Sequence, residues 1–299
     1  MVNLANLKLR NPTILASGLL GYAASSFEKV MKAGAGAVVT KSIGMKPREG
    51  FPNPTMVEIE CGLLNAMGLP NPGVNEFVRE IKIAKRARIP VVVSIYGFTV
   101  AEFVKAAELV EKAGADAIEL NASCPHVKGV GAQIGQSPHV LAEVVKKVKS
   151  AVKKPVFTKL TPDVTDITVI ARAAEKSGTD AITAVNTAKA MTIDVETGNP
   201  ILANKIGGLS GPALKPVAVR CVYEIYETVK VPIIGCGGIT TWRDAVEFML
   251  AGATAIQIGT AIMYKGLEVF KEVTDGIQSY LTKKGYRSVK EIVGLSHTN

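Results

Sequence analysis

The stretch EKAGADAIELN, residues 111–121, decides the fold. A helical segment runs into Lys112 and Ala113, Gly114 closes it, and an apolar run starts at Ala117. Glycine ends a helix because it accepts the left-handed backbone conformation at little cost. The same pattern returns in KAGAGAVVTKS (32–42), EKSGTDAITAVN (175–186) and LAGATAIQIGT (250–260). A second pattern interleaves with it, with proline just ahead of an apolar run: ARIPVVVSIYG (87–97), VKKPVFTKL (152–160) and VKVPIIGCGG (229–238). Proline has no N–H to donate and cannot carry a helix forward.

Adding the run at 13–17 gives eight strands, at 13–17, 37–41, 90–95, 116–120, 155–159, 181–186, 231–236 and 255–259. Segments of helical period follow most of them. Phe103, Ala107 and Val110 share one face, as do Val269, Val273, Ile277 and Tyr280. Thr99 with Glu102 reads as a capping box, and Ser137 before Pro138 as a helix start. Nearly unbroken apolar strands alternating with helices imply parallel strands covered on both faces. Eight units predict an α/β chain closed into a (β/α)8 TIM barrel, with a doubly wound open sheet as the alternative. Two connections are too long for ordinary βα loops, so insertions are expected after strands 2 and 6, at 42–73 and 187–212. They lead to helices near 74–87 and 213–228. No linker-like stretch divides the chain, so residues 1–299 are expected to form one domain.

Composition supports a large core, with 47% hydrophobic and 20% charged residues, and excludes a disordered chain or a small disulfide scaffold. Basic residues exceed acidic ones 35 to 26, for a net charge of +9. These charges are spread over helical stretches such as KKVKSAVKK, and aromatic residues do not interleave with them. The pattern favours a solvated basic surface over a nucleic-acid face. Cys61, Cys124, Cys221 and Cys236 form no CxxC pair, which argues against a zinc ribbon or an iron–sulfur cluster in this chain and suits a reducing cytoplasm. No carboxylate or histidine cluster suggests a metal. ILASGLL, after Lys8 and Arg10, is too short and too interrupted to span a bilayer.

In a barrel of this kind chemistry sits at the carboxyl ends of the strands. There the sequence places Ser17-Gly18, Lys41-Ser42, Ser94, Asn121, Lys159, Asn186-Thr187, Gly237-Gly238 and Gly259-Thr260. Taken singly, an asparagine caps a turn and a lysine reaches out to water. Taken together, two lysines and three carboxamides (Asn65 included) suit a flat heterocycle rich in donors and acceptors. The glycines after strands 7 and 8 let backbone N–H groups approach a phosphate, although tight turns need glycine too. Cys124 lies in NASCPHVKGVGAQIGQSP, whose Gly129, Gly131 and Gly135 suggest a mobile lid. There its thiol suits a base or a nucleophile, with His126 close enough to tune it, while the other three cysteines read as small buried hydrophobes.

NAMGLPNPG (65–73), NASCPHVKG (121–129), GGLSGPALKP (207–216), GCGGI (235–239) and QIGTA (257–261) together resemble the class 1 dihydroorotate dehydrogenases, over almost the whole chain. The cysteine after strand 4 and the LSGPALKP wording resemble the B subgroup, catalytic subunits linked to NAD. The resemblance implies FMN-dependent oxidation of dihydroorotate to orotate in pyrimidine biosynthesis. It implies FMN contacts from Ser17, Lys41, Ser42, Asn121, Lys159, Val185, Gly211, Gly237, Gly238, Gly259 and Thr260. It implies substrate contacts from Lys41, Asn65, Ala66, Met67, Gly68, Leu69, Asn121, Asn186 and Thr187, with Cys124 as catalytic base. It also implies a homodimer that joins a partner subunit carrying FAD and a [2Fe–2S] cluster in a heterotetramer. Two positions depart from the family pattern: Ser94 stands where asparagine is expected near the flavin, and His126 where asparagine follows Cys-Pro. Rival readings are a flavin barrel acting on dihydrouracil or dihydrouridine rings and a non-catalytic barrel subunit.

Overall fold

Eight parallel strands close on themselves in the computed structural model, which describes residues 1–122 and 131–298, with side chains in the second segment from Ile134 onward. The barrel strands are β1 (Thr13–Leu15), β2 (Ala37–Val39), β3 (Val91–Ile95), β4 (Ala117–Asn121), β5 (Val156–Leu160), β6 (Ala181–Ala184), β7 (Ile233–Cys236) and β8 (Ala253–Ile258). Each pairs with the next, and β8 returns to β1. The barrel is therefore closed as expected, and the alternative of an open sheet is excluded. β1, β2 and β6 end two residues earlier than the sequence pattern suggested, and Ser17, Lys41 and Asn186 just beyond them line the mouth. The outer helices are α1 (Ala24–Lys32), α2 (Val74–Arg86), α3 (Val100–Ala113), α4 (Pro138–Ala151), α5 (Ile167–Lys176), α6 (Lys215–Tyr226), α7 (Trp242–Leu250) and α8 (Val269–Lys284).

The repeated glycine motif carries more than a helix stop. Asp116 and Asp180, two residues after the glycine, each accept from the first N–H of the preceding strand, Val91 at 2.8 Å and Val156 at 2.7 Å. Each also pairs with a lysine of the helix before, Lys85 of α2 and Lys149 of α4. Glu111 and Glu175, three residues before the glycine, accept from the paired N–H groups of Lys153-Lys154 and Lys230-Val231, which lead into β5 and β7. The motif thus staples strand starts whose N–H groups have no ladder partner. Replacement of Asp180 by alanine is expected to cost about 1–2 kcal/mol, since a partly buried charge-assisted cap and its ion pair are lost together. A thermal melt of the variant should show a drop of a few degrees.

Side chains alternate between the helix layer and the barrel interior. Leu15, Val38, Val93, Leu120, Leu160, Ile182 and Ile256 pack outward against the helices. Inside, the bottom layer is apolar, with Ile14, Ala37, Val39, Val92, Ala117, Phe157, Ala181, Ile234 and Ala255 in one cluster. Leu4, Leu7 and Leu9 plug this end from an N-terminal hairpin (Val2–Leu4 with Leu7–Leu9), whose turn residues Ala5 and Asn6 both take positive φ. Nothing in the sequence pattern announced this hairpin.

The two insertions pair with each other. Ala188–Ala190, Gly207–Ser210, Gly62–Asn65 and Met56–Ile59 form, in that order, a four-stranded antiparallel sheet beside the mouth. Leu64, Ala66 and Leu202 make its small core, with Val57 and Leu209 packed against it. The strands were hidden by flanking Pro, Asn and Gly and by their shortness. The Thr99 reading is half right. Its hydroxyl accepts from Glu102 N–H, but the Glu102 carboxylate reaches Phe98 N–H. The complete capping box is Thr241 with Asp244 at the start of α7.

Candidate active site

At the carboxyl ends of the strands two adjoining cavities, about 200 and 80 Å³, share Ser17, Lys159, Asn186, Thr187, Ser210, Gly259 and Thr260 as common walls. The larger opens between the barrel and the inserted sheet, and its outer wall is Met56, Leu63, Asn65, Met67, Gly68 and Leu69. The smaller runs toward the ends of β7 and β8, past Gly211, Gly237, Gly238 and Thr240.

A branched hydrogen-bond network centred on Ser42 links the strand ends across the larger cavity. Ser42 Oγ lies 3.3 Å from Ser17 Oγ and 2.9 Å from Ser94 Oγ, and it accepts from Asn121 Nδ2 at 2.8 Å. Asn186 Nδ2 donates to Asn121 Oδ1, and Asn186 Oδ1 accepts from Thr187 N–H. Ser94 therefore takes part in the network despite departing from the family pattern. Lys41 is buried, with Nζ 3.5 Å from the Gly18 carbonyl and 5.5 Å from the centre of the Tyr22 ring. The loop that carries Met67, Gly68 and Leu69 is set by Asn71, a residue the sequence pattern did not single out. Its amide accepts from Gly44 and Gly73 N–H and donates to Leu69 O and Tyr96 Oη.

The floor is polar above the apolar bottom layer. Lys159 Nζ donates to Gln257 Oε1 at 3.0 Å, and Gln257 Nε2 donates to Glu119 Oε2 at 2.6 Å. Thr183 Oγ1 also donates to that oxygen. Burial opposes the charge on Lys159, but its acidic neighbours Cys236 and Glu119 outweigh that and hold its pKa above the ordinary lysine value. Burial pushes the Cys236 thiol up, against the pull of the Lys159 ammonium beside it. Cys236 is thus more than a small hydrophobe: with Lys159 it lines the smaller cavity.

The corner at β7 and β8 is built around backbone. Gly237 and Gly238 have φ of 134° and 72°, and a Cβ on Gly238 would meet Gly211 O at 2.7 Å. Their N–H groups donate to no protein acceptor among the described residues. A Cβ on Gly259 would meet only Ala16 Cβ, at 3.4 Å, so the space beside it belongs to the cavity. Asp244 anchors this loop, accepting from the N–H and hydroxyl of both Thr240 and Thr241 and pairing with Lys215 at 2.8 Å. Burial alone would raise its pKa; the Lys215 ammonium and the threonine donors overwhelm that and bring it from 3.8 down to about 2. Because the folded value is the lower one, its stabilisation is complete above pH 3.8 and is lost as pH falls through about 2. Asp244→Asn should therefore cost on the order of 2 kcal/mol at pH 7, and its melting curve should converge on the wild type between about pH 4 and pH 2.

Of the expected site residues, Ser17, Lys41, Ser42, Asn65, Met67, Gly68, Leu69, Asn121, Lys159, Asn186, Thr187, Gly259 and Thr260 line the larger cavity, while Val185, Gly211, Gly237 and Gly238 line the smaller. Ala66 lines neither: alternation after Asn65 turns it into the small core with Leu64 and Leu202. Cys124 and His126 lie outside the described residues. Of the stretch read as a lid, Gly131–Gln136 is helical. Met56, Leu63 and Ser210 went unnoticed because the inserted sheet did.

This architecture is that of a small-molecule (β/α)8 enzyme, with a polar pocket over a buried lysine and a glycine-lined corner beside it. The family model described as dihydroorotate dehydrogenase matches residues 1–281. The chain is 54% identical over 297 residues to a Pyrococcus abyssi protein named dihydroorotate dehydrogenase B (NAD(+)), catalytic subunit, covering 99% of this chain and 98% of that one. Proteins of the same name from Methanosarcina acetivorans (50% identical, covering 99% and 96%) and Methanothermobacter thermautotrophicus (52%, covering 99% and 97%) are similar over the full length. Among solved structures, a DHODH from Eimeria tenella in complex with ferulenol superposes with a TM-score of 0.87 at 25% identity, covering 100% of this chain and 88% of that one. The chain belongs to the dihydroorotate dehydrogenase family.

Proposed function

We propose that this chain oxidises dihydroorotate to orotate in pyrimidine biosynthesis as the FMN-binding catalytic subunit of an NAD-linked enzyme, the whole chain acting as one domain. The observation that carries the reading is the pair of joined cavities, with a charged lysine in the floor and a glycine corner at one end. The corner fits a phosphate by its unengaged N–H groups and by the room beside Gly259. FMN, when bound, supplies the two-electron acceptor. Ser17, Lys41, Ser42, Asn121, Lys159, Val185, Gly211, Gly237, Gly238, Gly259 and Thr260 hold it in this reading, with the Lys159 ammonium opposing negative charge at the floor.

Asn65, Asn121 and Asn186, with Thr187 and the turn Met67–Leu69, bind the pyrimidine ring by its amide edges and fix its orientation. Lys41 pairs with the substrate carboxylate, which favours orotate over uracil-type rings. Cys124, as thiolate, takes the proton from C5 while the hydrogen on C6 leaves with its electron pair. Met191, Ile193 and Val195 stand exposed on the inserted segment, Val195 at 88%. Such a surface suits subunit contacts in a homodimer that assembles with a FAD and [2Fe–2S] electron-transfer subunit into a heterotetramer. No described helix is long and apolar enough to cross a membrane, and we place the assembly in the cytoplasm. The test is the absorbance spectrum of the purified chain. A flavin spectrum perturbed by orotate but not by uracil supports the reading; a colourless protein that takes up no FMN overturns it.

A further inference from the structure

Within the eight strands there is one acidic residue, Glu119, and one basic residue, Lys159. They stand on neighbouring strands, β4 and β5, and both are buried, Glu119 completely. Their link is indirect. The Gln257 amide from β8 stands between them, donating to Glu119 and accepting from Lys159. Turning that amide over would set its NH2 against the ammonium and its oxygen against the carboxylate, so the two charges fix its orientation. Among the described residues Glu119 Oε1 has no hydrogen-bond partner, so the carboxylate is incompletely met by the structure around it. A residue needed only to fill the interior at this level would have no use for a carboxylate, since the layer below is filled with apolar side chains.

We propose that Glu119 is a positioning residue: through the Gln257 amide its carboxylate keeps Lys159 an aimed ammonium at the pocket floor before any anionic ligand arrives. Burial works against a charged lysine, and an acid behind it offsets that penalty without occupying the ligand's side. Among the described residues the titratable groups acting on Lys159 are Cys236 on β7 and Glu119 on β4. Of the two, a carboxyl is by nature the stronger acid. The functional consequence is that reduction of a cofactor above the floor meets a cation already in place, with no proton to be fetched to the lysine.

The inference rests on the FMN reading, and proton counting tests it separately. In a spectroelectrochemical titration of the flavin-loaded chain between pH 7.5 and 9, the slope of midpoint potential against pH gives protons taken up per two electrons. The wild type should take up one. Glu119→Gln keeps the shape and removes the charge, so Lys159 is neutral until reduction and the count should rise to two, the second proton going to Lys159 Nζ. Glu119→Asp, which keeps the charge, should restore one. Gln257→Leu, which cuts the relay with the acid in place, should also give two, and it serves as the reading if the Glu119→Gln chain does not hold flavin. A count of one in Glu119→Gln overturns the proposal. So does the same rise in Glu119→Asp, which would mean disturbed packing, or a rise in Cys236→Ala alone, which would make the thiol the counter-ion. A wild type that binds no flavin would instead fail the functional reading.

Discussion

Cys124→Ala should keep its bound flavin and lose between 10² and 10⁴ in the rate at which dihydroorotate reduces it, the usual worth of a positioned base. Stopped-flow reduction at saturating substrate measures this step alone, free of electron transfer to any partner. Removing a proton from a carbon beside a carbonyl needs a base ionised at neutral pH, and a thiol with an ordinary pKa near 8.5 supplies a useful fraction of thiolate. Wild-type reduction should therefore rise with pH until the thiol is fully ionised. Cys124→Ser separates chemistry from space, because an alcohol fits the same position and ionises far less readily. It should bind flavin and orotate as the wild type does and react slowly, with the rise in its pH profile displaced toward alkali. An unchanged rate in the alanine variant would remove the base assignment, and some other group would have to take the C5 proton.

The barrel was legible because its signals are local. A glycine after a helix or a proline before a strand is dictated by the backbone within a few residues, and each repeats along the chain. The site residues followed, since a closed parallel barrel brings every strand's carboxyl end to one rim. What escaped depended on partners distant in sequence. Leu63 and Ser210 pair across the inserted sheet although 147 residues separate them. Gly208, opposite Asn65, has the same dependence. Glu119 sits in the quoted AIELN as one polar letter in an apolar run, and only the register of eight strands shows that it faces Gln257, 138 residues away. Asp116 and Asp180 were visible as letters of the repeat, yet their service to the preceding strand needed the barrel's order to be known.

Lys159→Met is the second large effect, and it acts on two properties at once. As a loss of electrostatic stabilisation in a water-poor site it should slow substrate oxidation on the order of 10²–10³-fold. Methionine has nearly the same length, so the cavity keeps its shape. As a change in the core it leaves Gln257 Oε1 without its donor and Glu119 without a cation, in the layer where Glu119 is fully buried. Removing one partner of a buried pair leaves an uncompensated charge, at a cost of about 3–5 kcal/mol. Chemical denaturation of the flavin-free chain should show that loss. The second substitution then changes sign with its background. In the wild type Glu119→Gln removes a favourable charge and should destabilise. In Lys159→Met it removes a stranded charge, so the double variant should be more stable than the single one while remaining as slow. A double-mutant cycle measures this coupling directly. Additive losses would mean that the acid and the lysine act independently. A recovery of stability without recovery of rate is what a charge pair serving the ligand above it requires, since stability depends on the balance of the two charges and catalysis on the ammonium alone.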